Sequence, residues 1–149
     1  MHLTTYLQLL HTAESSLGNS YRTVAAGHAG DADVHYACLG FAADCTQRAD
    51  ALDPTLARYD DSREPECERL HPSGLTTTRN GPVGLLRDLQ DLYQLASLVE
   101  ITWTLVGQAA YGARDRTLID IVTAAEPAMT TQIAWLRMRM RTAAPQTLL

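Results

Sequence analysis

The sequence predicts an all-α chain, folded as an antiparallel four-helix bundle with one long crossover between its second and third helices. Three observations carry this. Four stretches repeat apolar residues at alternating steps of three and four, the period of a helix packed on one face. No stretch shows the alternating pattern of a half-buried strand. The connections run short, long, short, so two helical hairpins are joined by one extended link.

The first helix is expected over about His2–Ala26, with Leu3, Leu7, Leu10, Glu14, Leu17, Tyr21 and Val24 on its inner stripe. Gly27 is the natural stop. Asp31 or Asp33 then caps a second helix, expected over Asp33–Tyr59. Its stripe is Val34, Cys38, Phe41, Cys45, Arg48, Leu52, Leu56 and Tyr59, with a kink or restart at Asp53-Pro54. The third helix begins near Gly81-Pro82 and runs to Tyr111, with Leu85, Leu89, Leu92, Ala96, Val99, Trp103, Val106 and Ala110 inward and Gly112 as its end. Asp115 caps the fourth, Arg116–Arg141, whose stripe holds Leu118, Val122, Ala125, Met129, Ile133, Leu136 and Met140. Pro127 is expected to kink it. The crossover, Asp60 to Gly81, has 22 residues. The whole chain, 1–149, reads as one domain.

Composition narrows the function. At 149 residues and 46% apolar, the chain buries a core without staples. A net charge of -5, from 12 basic and 17 acidic residues, argues against nucleic acid as partner. All the basic residues are Arg. The N-terminus lacks the basic and apolar regions of a signal peptide. The most apolar stretch, Leu92–Ala113, carries too many polar residues for an ordinary membrane span, so no membrane is expected. Three cysteines, Cys38, Cys45 and Cys67, suit a reducing cytoplasm; Cys38 and Cys45 lie ~10 Å apart along one helix and cannot bridge.

The chemistry concentrates in acids placed within the helices. Glu14 occupies a core-stripe position, and Glu100 is the only charged residue between Asp91 and Arg114. Counted from the first hairpin tip at Ala29, Glu14 and Asp44 are each 15 residues away. Counted from the second tip, Glu100 and Glu126 are each about 13 away. All four therefore lie ~20 Å from a tip, mid-bundle. The expectation is that Glu14, Glu100 and Glu126 point inward and meet. Arg48 and Tyr93 are candidate polar partners. Other pairs are weaker: His35 with Cys38 for a metal, and Cys67 with His71 in the loop. His28 reads as an exposed turn residue.

In layout, with Glu14 and Glu100 on helices one and three, the chain resembles the ferritin-like superfamily. The resemblance implies a Glu from each of these helices and Glu-x-x-His from each of the other two. The matching runs here are Asp44-Cys45-Thr46-Gln47 and Glu126-Pro127-Ala128-Met129, with no histidine in either. His11, one turn before Glu14, is the imidazole at hand. Two functional expectations follow. The leading one is a non-enzymatic binding or interaction protein with a buried carboxylate core. The other is an oxidoreductase or iron-handling protein, with iron or manganese held by Glu14, Glu100, Glu126, Asp44 and His11. A second apolar strip on the third helix, Leu95, Leu98, Leu105 and Ala109, must be covered by the crossover through Leu70 and Leu75, or by a second copy in a homodimer.

Overall fold

The computed structural model describes residues 2–59 and 73–149. Four helices appear, with no strand among the described residues: α1 (Leu3–Gly27), α2 (Ala32–Arg58), α3 (Gly81–Ala113) and α4 (Arg116–Leu148). α1 packs on α2 and α3, and α4 packs on α3 and α2; α1–α4 and α2–α3 are the diagonals. Contacts at the two ends fix the directions. His28, just past α1, meets Asp88 early in α3, and Arg139 late in α4 meets Asp33 early in α2. At the other end Thr4 donates to the Tyr59 carbonyl, and the Tyr59 hydroxyl donates to Asp115 at the start of α4. α1 therefore runs up, α2 and α3 down, and α4 up. Every neighbouring pair is antiparallel, and the crossover has to return the length of the bundle. This order is compatible with a ferritin-like layout.

The expected helices stand within two residues at every boundary but the last. α4 continues through Pro145 to Leu148, well beyond Arg141. α2 passes Pro54 without a break in its helical assignment. α3 does not end at Gly112: Arg114 takes the left-handed conformation (φ 54°), and the N–H groups of Arg114 and Asp115 turn back to the carbonyls of Tyr111 and Ala110. The core is the predicted set of stripes, with Leu7, Leu10, Leu17, Leu52, Leu89, Leu92, Leu118 and Leu136 fully buried. Val122 and Met140 are half-buried at its margin. No described helix is long and apolar enough to cross a membrane.

The end of the crossover is tied down by polar contacts. The Leu75 N–H donates to the Ser20 hydroxyl, and the Arg79 N–H to Asp88. Leu75 packs against the core, and residues Ser73–Thr77 border Leu95 and Leu98. The upper half of the second apolar strip is thus covered from within, while Leu105 stays 47% exposed. Leu70, Cys67 and His71 lie outside the described residues.

Asp115 joins local and tertiary structure. Its carboxylate caps α4 by accepting from the Leu118 N–H, and it also accepts from Tyr59 and Arg58. Burial opposes its ionisation, but these donors outweigh burial and hold its pKa below the usual carboxylate value. The folded chain therefore keeps this group ionised to lower pH than the unfolded chain does. The resulting stability is complete above the unfolded pKa and is lost as pH falls through the folded one. Asp115→Asn keeps a capping oxygen but no charge. It is expected to unfold at lower urea concentration than the natural chain at pH 7, with the gap closing as pH drops below about 4.

Candidate functional site: a closed carboxylate core between two clefts

Glu14 stands where the sequence places it, fully buried at the centre of the α1 stripe. Two helices deliver its partners. From α2, Arg48 grips both oxygens, Nε at 2.6 Å from Oε1 and Nη2 at 3.0 Å from Oε2. From α3, the Trp103 indole N–H donates to Oε1 at 2.6 Å. The fork of Arg48 matches the carboxylate plane, the strongest form of side-chain ion pair. Its guanidinium also reaches the Cys45 sulfur at 3.3 Å.

α4 closes the cluster with Gln132, which is fully buried. Its amide is satisfied with the oxygen 3.1 Å from both terminal nitrogens of Arg48 and the NH2 donating to the Tyr21 hydroxyl at 3.2 Å. Burial works against the Arg48 charge, yet the Glu14 carboxylate more than compensates and raises its pKa. Burial pushes the Tyr21 phenol up, and pushes the Cys38 thiol up to about 12. Cys45 rises as well, from burial and then from Glu14. Both thiols are free, and burial disfavours their thiolate forms.

The expected meeting of three glutamates does not occur. Glu100 and Glu126 are exposed, and Asp44 is half-buried. Counting residues from the tips gives the level on the axis and ignores the angle around it. At 100° per residue, Glu14 falls on the centre of its stripe, whereas Glu100, Glu126 and Asp44 each fall roughly 80° to one side. Glu100 and Glu126 do share a level, but in a cleft on the outer α3–α4 seam. Asp44 lines a different cleft, between α2 and α4. His11 is half-buried and faces Asp53 at 3.1 Å.

These residues do not converge as a metal set. The described residues hold no group of three or more His, Cys, Asp or Glu placed to bind a metal ion. Both oxygens of Glu14 are already committed to donors, and a cation there would meet the Arg48 charge. His35 is likewise engaged, its Nδ1 donating to the Ala25 carbonyl at 2.7 Å.

A second buried polar centre escaped the sequence reading. His28 is buried rather than exposed, with Nε2 2.7 Å from Asp88, which is itself fully buried. Arg79 adds its backbone N–H and its guanidinium to the same carboxylate. A signal existed for Asp88, which lies three residues after Leu85 and four before Leu92. Gln132, among Met129, Ile133 and Leu136, carried a similar one.

Trp103 links the core to the outside. Its N–H donates to Glu14, and the residue, 5% exposed, borders both clefts that flank α4. The α3–α4 cleft has a volume of about 300 Å³ and the α2–α4 cleft about 340 Å³. Compared with known proteins, the chain matches no family model, no curated protein and no solved structure.

Removing one member of a buried pair strands the other's charge. Glu14→Ala is expected to cost about 3–5 kcal/mol in urea unfolding, and the double change Glu14→Leu with Arg48→Met to recover most of that loss. Glu100→Gln, at an exposed position, should shift stability by less than about 0.5 kcal/mol. A Glu100→Gln cost as large as that of Glu14→Ala would contradict the outward placement.

Proposed function

We propose that the chain is a ferritin-like bundle that binds or assembles rather than catalyses, working as a homodimer in the cytoplasm. One observation carries this reading: the central carboxylate is fully buried and already paired. Glu14 is engaged from inside the bundle, because Arg48 reaches both of its oxygens and Trp103 adds a second donor to Oε1. A fixed, neutralised pair stabilises and positions; it does not exchange protons or ligands. The grooves left beside α4, both reaching Trp103, are the places where such a scaffold would take a partner. The free, buried thiols of Cys38 and Cys45 fit a reducing compartment.

The competing reading, an iron or manganese oxidoreductase, needs Glu14, Glu100, Glu126, Asp44 and His11 to converge, and no observation favours it over the closed pair. Elemental analysis of protein purified without an affinity tag tests the choice. The expected result is far below one metal ion per chain; a stoichiometric transition metal that survives dialysis would overturn the non-catalytic reading.

The homodimer rests on the open lower half of the α3 strip. Ile101 and Leu105, one helical turn apart, are 51% and 47% exposed. Light scattering at micromolar concentration should give twice the 16.3 kDa chain mass. The double change Ile101→Ser with Leu105→Ser should return the monomer mass. A monomer in the unchanged chain removes the dimer from the proposal.

A further inference from the structure

The top of the bundle is hollow because its walls outrun its floor. His28, at the tip of the first hairpin, meets Asp88, which lies seven residues into α3. The first turns of α3 therefore stand ~10 Å above the tip. α4 meets Asp33 through Arg139 and then continues nine residues to Leu148. Between these walls, over the tip and the start of α2, lies an open cavity of about 760 Å³.

Two polar groups in its lining are each held by one partner and keep bonding capacity in reserve. His28, 6% exposed, is the only buried histidine among the described residues. Asp88 accepts from Arg79 at both oxygens, so it is an acceptor toward His28 as well, and Nε2 carries the hydrogen between them. Nδ1 has no partner among the described residues and is not sealed from solvent. Arg139 repeats the pattern from α4. Arg48 apart, it is the only described arginine that is not exposed. Its Nε is 2.6 Å from Asp33, while its two terminal nitrogens carry no bond among the described residues and are likewise not sealed. Both residues line the same cavity.

We propose that this cavity binds a small monocarboxylate, its oxygens between the terminal nitrogens of Arg139 and Nδ1–H of His28, its carbon atoms against Pro82, Leu85 and Met138. The site is separate from the clefts beside α4 and from the exposed strip of α3, so it goes beyond the binding role above. A guanidinium with two free nitrogens matches the plane of a carboxylate. A carboxylate only accepts, so His28 holds it as the imidazolium. The facing charges permit this. Behind His28, Asp88 and Asp91 stand against Arg79 alone, and a protonated ring balances the excess acid. Toward the cavity, Asp33 is paired with Arg139, and Asp31, half-buried on α2, is the one lining acid without a cation. Asp31 would repel a second negative charge, which favours a monocarboxylate over a phosphate or a dicarboxylate.

The test is an NMR titration of the full chain with sodium butyrate and sodium benzoate, following the His28 ring and the Arg139 side-chain N–H signals. Sodium chloride, sodium sulfate and butyramide are the controls. The expected result is a saturable shift of both residues with at least one carboxylate, no comparable shift with any control, and His28 in the imidazolium form in the saturated complex. Arg139→Gln should weaken binding at least tenfold and leave the circular dichroism spectrum unchanged. Asp33→Asn removes the partner of Arg139 but no cavity donor, so binding should stay equal or tighten. Absence of a saturable shift, an equal response to sulfate or butyramide, a neutral His28 ring in the complex, binding that survives Arg139→Gln, or binding lost in Asp33→Asn would each overturn the proposal.

Discussion

A carboxylate with no exposure in the middle of a bundle must receive its counter-charge from the fold itself. An uncompensated ion there would cost several kcal/mol, a large share of a domain's net stability. Glu14 meets this demand with one partner from each neighbouring helix: Arg48 from α2 and Trp103 from α3. Gln132 on α4 then satisfies the remaining guanidinium donors. Four helices are thereby set in register at one level, because a slip of any one by a turn would move its donor ~5.4 Å and leave the charge exposed to nothing. Apolar stripes alone would tolerate such slips far better, since one Leu substitutes for another.

The same logic acts at the ends of the bundle. His28, Asp88 and Arg79 tie the first hairpin tip to α3 and to the end of the crossover. Tyr59, Arg58 and Asp115 tie the end of α2 to the start of α4. Each cluster joins segments far apart in sequence, and each contains a buried aspartate that accepts several donors. The polar contacts therefore specify the up-down-down-up order, while the leucines supply most of the burial.

What could be read from the sequence was the part that depends on local periodicity. The four helices, their short turns, the long link and the inward place of Glu14 all follow from a three-four repeat. Arg48 could be named as a partner because it shares the stripe with Cys45 and Leu52. The placement of Glu100 and Glu126 failed for a definite reason. Their equal distance from the hairpin tip is an axial coordinate, and burial is decided by the angular one. Their neighbours Val99 and Ala125 hold the inward positions instead. His28 was misread because its burial is caused by Asp88, 60 residues later, and no local rule carries that information. The cleft that brings Glu100 and Glu126 together is likewise a product of two helices packing, invisible in either one alone.

Placing the acids on the outside changes what they can do. Inside, three glutamates would have needed a metal or shared protons to coexist. On the seam, Glu100 and Glu126 are exposed to water and need no internal counter-charge. The core then serves the surface in one direction only. Glu14 and Arg48 neutralise each other, so they lend no net charge to the cleft. Through the indole N–H, Glu14 holds Trp103, which lies in the lining of both clefts beside α4. Breaking the inner pair would thus act on the outer cleft through a single ring, and changing the outer acids should leave the inner pair intact.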